Sequence, residues 1–245
     1  MNESDAAPAQ QKPELEIPIG TVRFGDLRRL SPIGRDFGYD RGTPVDRYYI
    51  EGFLARNASD IRGRVLEVAS NTYTKRFGGN RIAQSDVLSV DPADRNATII
   101  GDIAQPNTLP DSIFDCIIFT QTLHYVYDVR IAIEMLYRAL RPGGILLATT
   151  PGILPMGDRP SHPEKPDRWP WYWIFTPASL RRLLEDRFGP HDVMVESHGN
   201  IFAATAFLYG LAVEELQVSD LNVDDPRYPV TIAGRANKRT SECKR

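Results

Sequence analysis

The chain has 245 residues, of which 42% are hydrophobic and 25% are charged, and its formal net charge is −3. This composition indicates a globular protein with one sizeable core, and it gives no sign of the basic surface that binds nucleic acid. Two cysteines, Cys116 and Cys243, are too few for a disulfide framework or a zinc site. Because we find neither a signal-peptide pattern nor an apolar run of membrane-spanning length, we expect a soluble, cytoplasmic protein.

The first half of the chain begins with a polar segment and continues with alternating strands and helices. Residues 1–18, rich in Ala, Gln, Pro and acids, are typical of a flexible tail. A helix is predicted over "TPVDRYYIEGFLARNAS", capped by Thr43 and with Pro44 in its first position. From Gly63 the predicted elements are the strands "RVLEVA", "VLSVD", "ATII" and "FDCIIF", the helix "DVRIAIEMLYRAL" ended by "RPGG", and the strand "ILLATTP".

The second half begins with residues 151–175, which carry six prolines and three tryptophans. This segment is too long for a plain connection, so we predict a lid-like insertion. Beyond it the sequence predicts the helix "TPASLRRLLEDRF", capped by Thr176, the strand "DVMVES", the helix "IFAATAFLYGLAVEEL" and the strand "YPVTIAGRA". The alternation predicts an α/β fold with a mostly parallel sheet, built as one domain over residues 19–240 with an N-terminal cap over 19–60.

Small and acidic residues follow the first three predicted strands. In open α/β sheets, ligands bind beyond the carboxyl ends of the strands. An acid such as Asp91, which ends the second strand, can accept hydrogen bonds from both hydroxyls of a ribose, and Asp102 could accept one from an adenine amine. Packing or turn formation would explain each of these residues alone, but their order along successive strand ends favours a cofactor site. The small residues after the first strand are Ala69, Ser70 and Asn71.

Five pieces between Gly63 and Gly152 resemble the class I S-adenosylmethionine-dependent methyltransferases, of the type 11-like kind. The pieces are "VLEVASN", "SVDPAD", "GDIAQ", "FDCIIFTQTLHYVYD" and "LYRALRPGGILLATTPG". The last is the most specific, because a helix, R-P-G-G and a strand follow one another in this family. The flanks "RDFGYDRGTPVDRYYIEGFL" and "NTYTKRFGG" resemble a bacterial subgroup associated with glycan and natural-product biosynthesis. The resemblance covers residues 40–238 and implies a Rossmann-like, seven-stranded sheet with helices on both faces.

The resemblance implies S-adenosylmethionine as cofactor, with Glu67 and the backbone of residues 69–71 near its methionine part. Glu67 could instead hold backbone amides of the loop, and Arg41 is either a partner of the cofactor carboxylate or a surface arginine. The family usually has two or three glycines in this loop, and this chain has none. Either small residues tolerate the loop geometry or cofactor binding is weakened. We expect tolerance, since Asn can adopt a positive φ.

The same resemblance assigns the other parts of the cofactor by position. Asp91 would bind the ribose hydroxyls. Asp102 and Ile103 would address the adenine. Thr120 and Gln121 would lie below the sulfonium.

Two alternative functions stay open at this point. An acid after the second strand also suits NAD, as in a dehydrogenase. The G-x-G-x-x-G loop that brings the backbone close to a pyrophosphate is absent, however, whereas S-adenosylmethionine has no phosphate. A non-catalytic domain that binds or regulates a partner is the other alternative, because the first loop has no glycine.

We predict O-methylation of a sugar, a glycan or a glycosylated natural product, with N-methylation of an amino sugar as an alternative. His124, four residues beyond Thr120, is the candidate general base, and the alternative is a packed structural or substrate-orienting histidine. The aromatic run "RWPWYW" suits a carbohydrate face or anchors its own loop, and Tyr39 could close the site.

No metal site is expected, because the acids of 151–175 are irregularly spaced, and the oligomeric state, a homodimer included, stays open. The candidate acceptor-binding residues are Tyr49, His162, Trp169, Trp171, Trp173 and His198.

Overall fold

Seven strands form one sheet in the computed structural model, which describes residues 17–156 and 170–240. The strands are β1 (Gly63–Val68), β2 (Ile82–Ser89), β3 (Ile99–Ile100), β4 (Phe114–Thr120), β5 (Leu140–Pro151), β6 (Val193–His198) and β7 (Thr231–Asn237). The helices among the described residues are α1 (Val45–Arg56), α2 (Val129–Ala139), α3 (Pro177–Phe188), α4 (Ile201–Leu208) and the short α5 (Val218–Leu221).

The strand order is β3-β2-β1-β4-β5-β7-β6, and the neighbouring strands among β1 to β5 are parallel. β7 runs antiparallel to both β5 and β6. This arrangement confirms the predicted Rossmann-like, mostly parallel sheet. The carboxyl ends of β1 to β5 therefore lie along one edge, where the chain order reverses between β1 and β4.

Alternate residues of the central strands pack on opposite faces of the sheet, as the pleat requires. Leu66 of β1 and Ile117 of β4 belong to a core cluster with residues of α2 and α3. Their chain neighbours Val65 and Cys116 belong to a second cluster, which includes residues of α1. Burial on both faces explains why these strands are almost continuously apolar.

Several predicted boundaries differ from the structure. β5 begins at Leu140, so the "RPGG" that was predicted to lie between helix and strand belongs to the strand. Thr43 does not cap α1, because its backbone N–H and its hydroxyl both donate to the carboxylate of Glu214, at 2.9 and 2.7 Å. β2 begins at Ile82, five residues before the predicted "VLSVD", since its first half is polar and exposed or half-buried. The helix predicted over "IFAATAFLYGLAVEEL" ends at Leu208, and Gly210 follows with φ +69°.

The cap of α3 is confirmed. The hydroxyl of Thr176 accepts the backbone N–H of Ser179, and the hydroxyl of Ser179 accepts the backbone N–H of Thr176. This reciprocal pair satisfies two of the helix's unbonded N–H groups, with Pro177 in the first turn.

Residues 17–31 belong to a unit separate from residues 32–240. Its described part contains one short 3-10 turn, Gly25–Leu27, and exposes the side chains of Ile19 and Leu30. In the described parts of the chain, no helix has the length and apolar character needed to cross a membrane.

Candidate active site

A pocket opens beyond the carboxyl ends of β4 and β5. Its walls are mainly aromatic and aliphatic, with a few polar groups among them, as is usual for small-molecule sites. The lining comes from six parts of the chain. They are the approach to α1 with its first turn, the turn after β4, the end of β5 with the residues that follow it, the aromatic run, α4 and the residue before β7. The lining residues are Phe37, Tyr39, Asp46, Arg47, Gln121, His124, Tyr125, Pro151, Leu154, Trp171, Phe207 and Val230.

Gln121 brings an amide group to the pocket directly after β4. Its backbone has φ +46°, and its N–H donates to the carbonyl of Thr149 on β5 at 2.9 Å. A left-handed backbone at a non-glycine residue is uncommon and is retained where the surroundings fix it. The side-chain Nε2 is buried without a hydrogen-bond partner. A ligand in the pocket can therefore accept a hydrogen bond from this amide.

His124 lies in a 3-10 turn, Leu123–Tyr125, and is almost fully buried. Its ring stacks on the indole of Trp171, with centroids 4.7 Å apart, and its centroid is 4.0 Å from that of Tyr125. Neither ring nitrogen has a hydrogen-bond partner. Burial lowers the pKa of His124 to about 3, so the imidazole is neutral at neutral pH and can accept a proton.

The aromatic run divides between the pocket and an anchoring contact. Trp171 lines the pocket and stacks with Phe37, with centroids 6.0 Å apart. Trp173 instead donates its indole N–H to the carbonyls of Val126 and Tyr127, at 3.0 and 3.2 Å. Trp169 and His162 lie outside the described residues.

The loop after β1 replaces the expected glycines in a specific way. Ala69 has φ +63°, whereas neither Ser70 nor Asn71 has a positive φ. The left-handed residue of the loop is therefore Ala69 and not Asn71. A methyl side chain limits the cost of this conformation to about 1–2 kcal/mol. Both Ala69 and Ser70 are exposed, and their backbone N–H groups donate to the carbonyls of Leu88 and Val68, at 2.9 and 2.8 Å.

Glu67 is buried beneath this loop. Its carboxylate accepts the backbone N–H groups of Tyr73 and Thr74, at 3.1 and 2.7 Å. Burial raises its pKa, and these hydrogen bonds counter part of that rise. Glu67 thus holds backbone amides of the segment that follows the loop, which is one of its two expected roles.

Asp91 and Asp102 follow β2 and β3 as expected, but neither lines the pocket. Asp91 accepts the N–H of Ala93 at 3.0 Å, and the exposed Asp102 accepts that of Ala104 at 2.9 Å. Ile103 is buried in the core cluster with α2 and α3. Thr120, the last residue of β4, is half-buried.

The other candidates lie outside the lining. The guanidinium of Arg41 bonds to the carboxylate of Glu215. The ring nitrogens of His198 lie 3.0 Å from Asp224 and from Glu196. Tyr49 is buried and stacks on His198, with centroids 6.0 Å apart.

Sequence reasoning missed Asp46, Arg47, Phe207 and Val230 as pocket residues. Phe207 and Val230 carry no local signal, because they are apolar residues of a helix and of a strand approach. The adjacent charges of Asp46 and Arg47, at the start of an otherwise apolar helix face, were a usable signal. No group of three potential metal ligands occurs in the described ranges.

A family model and a known protein both match this chain in sequence. Residues 54–148 match a family model described as a methyltransferase domain. A protein of Mycolicibacterium smegmatis named "Probable S-adenosylmethionine-dependent methyltransferase" is 28% identical over 196 residues, which cover 78% of this chain and 69% of that protein. These matches favour a methyltransferase over an NAD-dependent dehydrogenase.

Solved structures show the same fold at low sequence identity. An S-adenosylmethionine-dependent methyltransferase from Archaeoglobus fulgidus has a TM-score of 0.51 and 14% identity, with 78% of this chain and 94% of that chain covered. The cyclase SpnF has a TM-score of 0.52 and 16% identity, with 82% and 84% covered. Since the two proteins differ in activity, these likenesses show the fold and leave the reaction to the site.

Proposed function

We propose that the chain is an S-adenosylmethionine-dependent methyltransferase and that it methylates a hydroxyl group of a sugar, a glycan or a glycosylated natural product. The observation that carries the proposal is the pocket beyond β4, in which the neutral ring of His124 and the amide of Gln121 lack partners. A hydroxyl group satisfies both, because its oxygen accepts from the amide and its proton goes to the imidazole.

The strand ends next to the pocket fit the cofactor. The exposed residues Ala69 and Ser70 suit its methionine part, and the carboxylate of Asp91 suits its ribose. One oxygen of Asp102 accepts a backbone N–H, and the side chain is exposed enough to meet an adenine amine. When bound, the cofactor supplies a methyl group activated by a sulfonium.

His124 acts in the proposal as the base that receives the hydroxyl proton. A base with a pKa of about 3 takes little proton from a free alcohol. An oxygen that is gaining a methyl group becomes a much stronger acid, so the proton moves to His124 as the new bond forms. Gln121 meanwhile holds the oxygen in line, which is the main demand of a displacement at carbon.

Two measurements test this function. Isothermal calorimetry with S-adenosylmethionine tests the cofactor, and we expect saturable binding below millimolar concentration. Turnover of a hydroxylated acceptor by His124→Ala tests the base, and we expect a loss of 10²–10⁴-fold, with cofactor affinity retained. A folded protein that does not bind the cofactor would overturn the function, and near-normal turnover by the variant would remove His124 as the base.

A further inference from the structure

Arg47 places a positive charge in the pocket with most of its hydrogen-bonding capacity unused. Its Nε–H donates to the hydroxyl of Tyr39 at 2.9 Å. The carboxylate of Asp46 lies 3.8 Å from Nη1, beyond hydrogen-bond reach. The other four N–H groups of the guanidinium have no acceptor among the residues that the structure describes.

Arg47 differs from Arg41 and Arg56, whose guanidinium groups bond to carboxylates of the protein. Arg41 is held by Glu215, and Arg56 bonds to Glu196 at 2.6 Å. Of the described residues that line the pocket, Arg47 is the one cation, and its side chain is only 21% exposed. The two terminal nitrogens of Arg47 are not fully buried, so a group bound in the pocket can reach them, and a positive charge among mainly apolar walls favours an anionic group.

The chemistry of the group favours a carboxylate. A guanidinium binds a carboxylate through two parallel hydrogen bonds, and its charge is fixed at every physiological pH. Asp46 already lies beside it, so a group with one negative charge is repelled less by that carboxylate than a doubly charged phosphate would be.

The position of Arg47 favours the acceptor as the source of that carboxylate. The lining contains no residue of the loop Ala69–Asn71, and neither Asp91 nor Asp102, which are the positions proposed for the cofactor. It does contain His124 and Gln121, which are proposed to meet the acceptor hydroxyl. Resting on the proposed function, we infer that the acceptor carries a carboxylate group and that Arg47 binds it.

Benzoate and benzamide are matched probes for this site, because they share a planar ring and differ mainly in charge. Each is titrated by ligand-observed NMR into protein saturated with S-adenosylhomocysteine. We expect the dissociation constant of benzoate to be at least tenfold lower than that of benzamide. Arg47→Met removes this preference, Arg47→Lys retains part of it, and Arg182→Met, at an exposed ion pair on α3, leaves it unchanged.

Two results with the wild-type protein alone would overturn the inference. One is equal binding of the two probes, and the other is no binding of either probe up to about 50 mM. A preference that persists in Arg47→Met would do the same.

A second titration distinguishes a carboxylate of the acceptor from the carboxylate of the cofactor itself. S-adenosylhomocysteine contains the methionine carboxylate, and 5′-methylthioadenosine lacks it. We expect Arg47→Met to leave both affinities unchanged. If the variant loses affinity only for S-adenosylhomocysteine, Arg47 serves the cofactor and the acceptor assignment falls. If wild-type protein does not bind S-adenosylhomocysteine at all, the proposed function fails instead.

Discussion

The imidazole of His124 lies against the indole of Trp171, with ring centroids 4.7 Å apart and ring planes inclined by 28°. The contact joins the turn after β4 to the aromatic run and keeps the proposed base away from water. Backbone hydrogen bonding supports the same contact, because the N–H of Tyr172 donates to the carbonyl of His124 at 2.9 Å.

Removing the indole should change the protonation of His124. In Trp171→Ala water reaches the imidazole, and we expect the pKa of His124 to rise from about 3 towards its ordinary value near 6.5. NMR titration of the imidazole protons measures this pKa. Trp173→Phe is the matched control, because Trp173 bonds to the carbonyls of Val126 and Tyr127. An unchanged pKa in Trp171→Ala would show that the indole does not keep water out.

The same low pKa gives His124 a defined effect on stability. Because the pKa is lower in the folded than in the unfolded state, the unfolded chain binds the proton first as pH falls below about 6.5. His124 therefore destabilises the fold progressively from about pH 6.5 down to pH 3. We expect the free energy of unfolding to fall by about 2 kcal/mol more between pH 7 and pH 5 in the wild type than in His124→Phe. Urea unfolding at both pH values measures this free energy. An equal fall in the wild type and in His124→Phe would contradict the prediction.

Glu67 should stabilise the loop through its two backbone contacts. In Glu67→Gln one of the N–H groups of Tyr73 and Thr74 faces an amide NH₂ and loses its acceptor. We expect a loss of about 1–3 kcal/mol in the free energy of unfolding and weaker binding of S-adenosylhomocysteine. Glu185→Gln, at a half-buried position of α3, is the control and should change neither quantity. A Glu67→Gln variant as stable as the control would argue against this role.

Ala69 should tolerate one kind of substitution only. Glycine relieves its left-handed backbone, and we expect Ala69→Gly to raise stability by up to about 1 kcal/mol, since greater freedom of the unfolded chain offsets part of the gain. A β-branched residue is strained there, so Ala69→Val should lower stability by about 1–3 kcal/mol. Denaturant unfolding measures both. The reverse order would mean that the loop has another conformation in solution.

The sheet could be predicted from the sequence because its central strands are short apolar runs between turn residues. The prediction for β2 was too short because the first half of the strand has no apolar run. Its buried Asp86 is paired with Arg64 at 2.7 Å. That pairing crosses to β1, and no pattern within β2 reveals it.

The pocket could be predicted only in part for a similar reason. Gln121 and His124 were found because a strand end fixes their place. Arg47, Phe207 and Val230 reach the pocket from elements far apart in the chain, and only the packing of those elements brings them together. Ala69 shows a further limit, since a positive φ at alanine is set by the surrounding loop and not by the residue's own preference.

The central claim is that the pocket beyond β4 receives the acceptor beside the reacting end of the cofactor. A crystal structure of the complex with S-adenosylhomocysteine tests it most directly. We predict that the sulfur atom faces this pocket on the side of Gln121 and His124, with the adenine beyond β2 and β3 and the pocket open for an acceptor. A sulfur atom that faces away from His124, or an adenosine group that fills the pocket itself, would contradict the account.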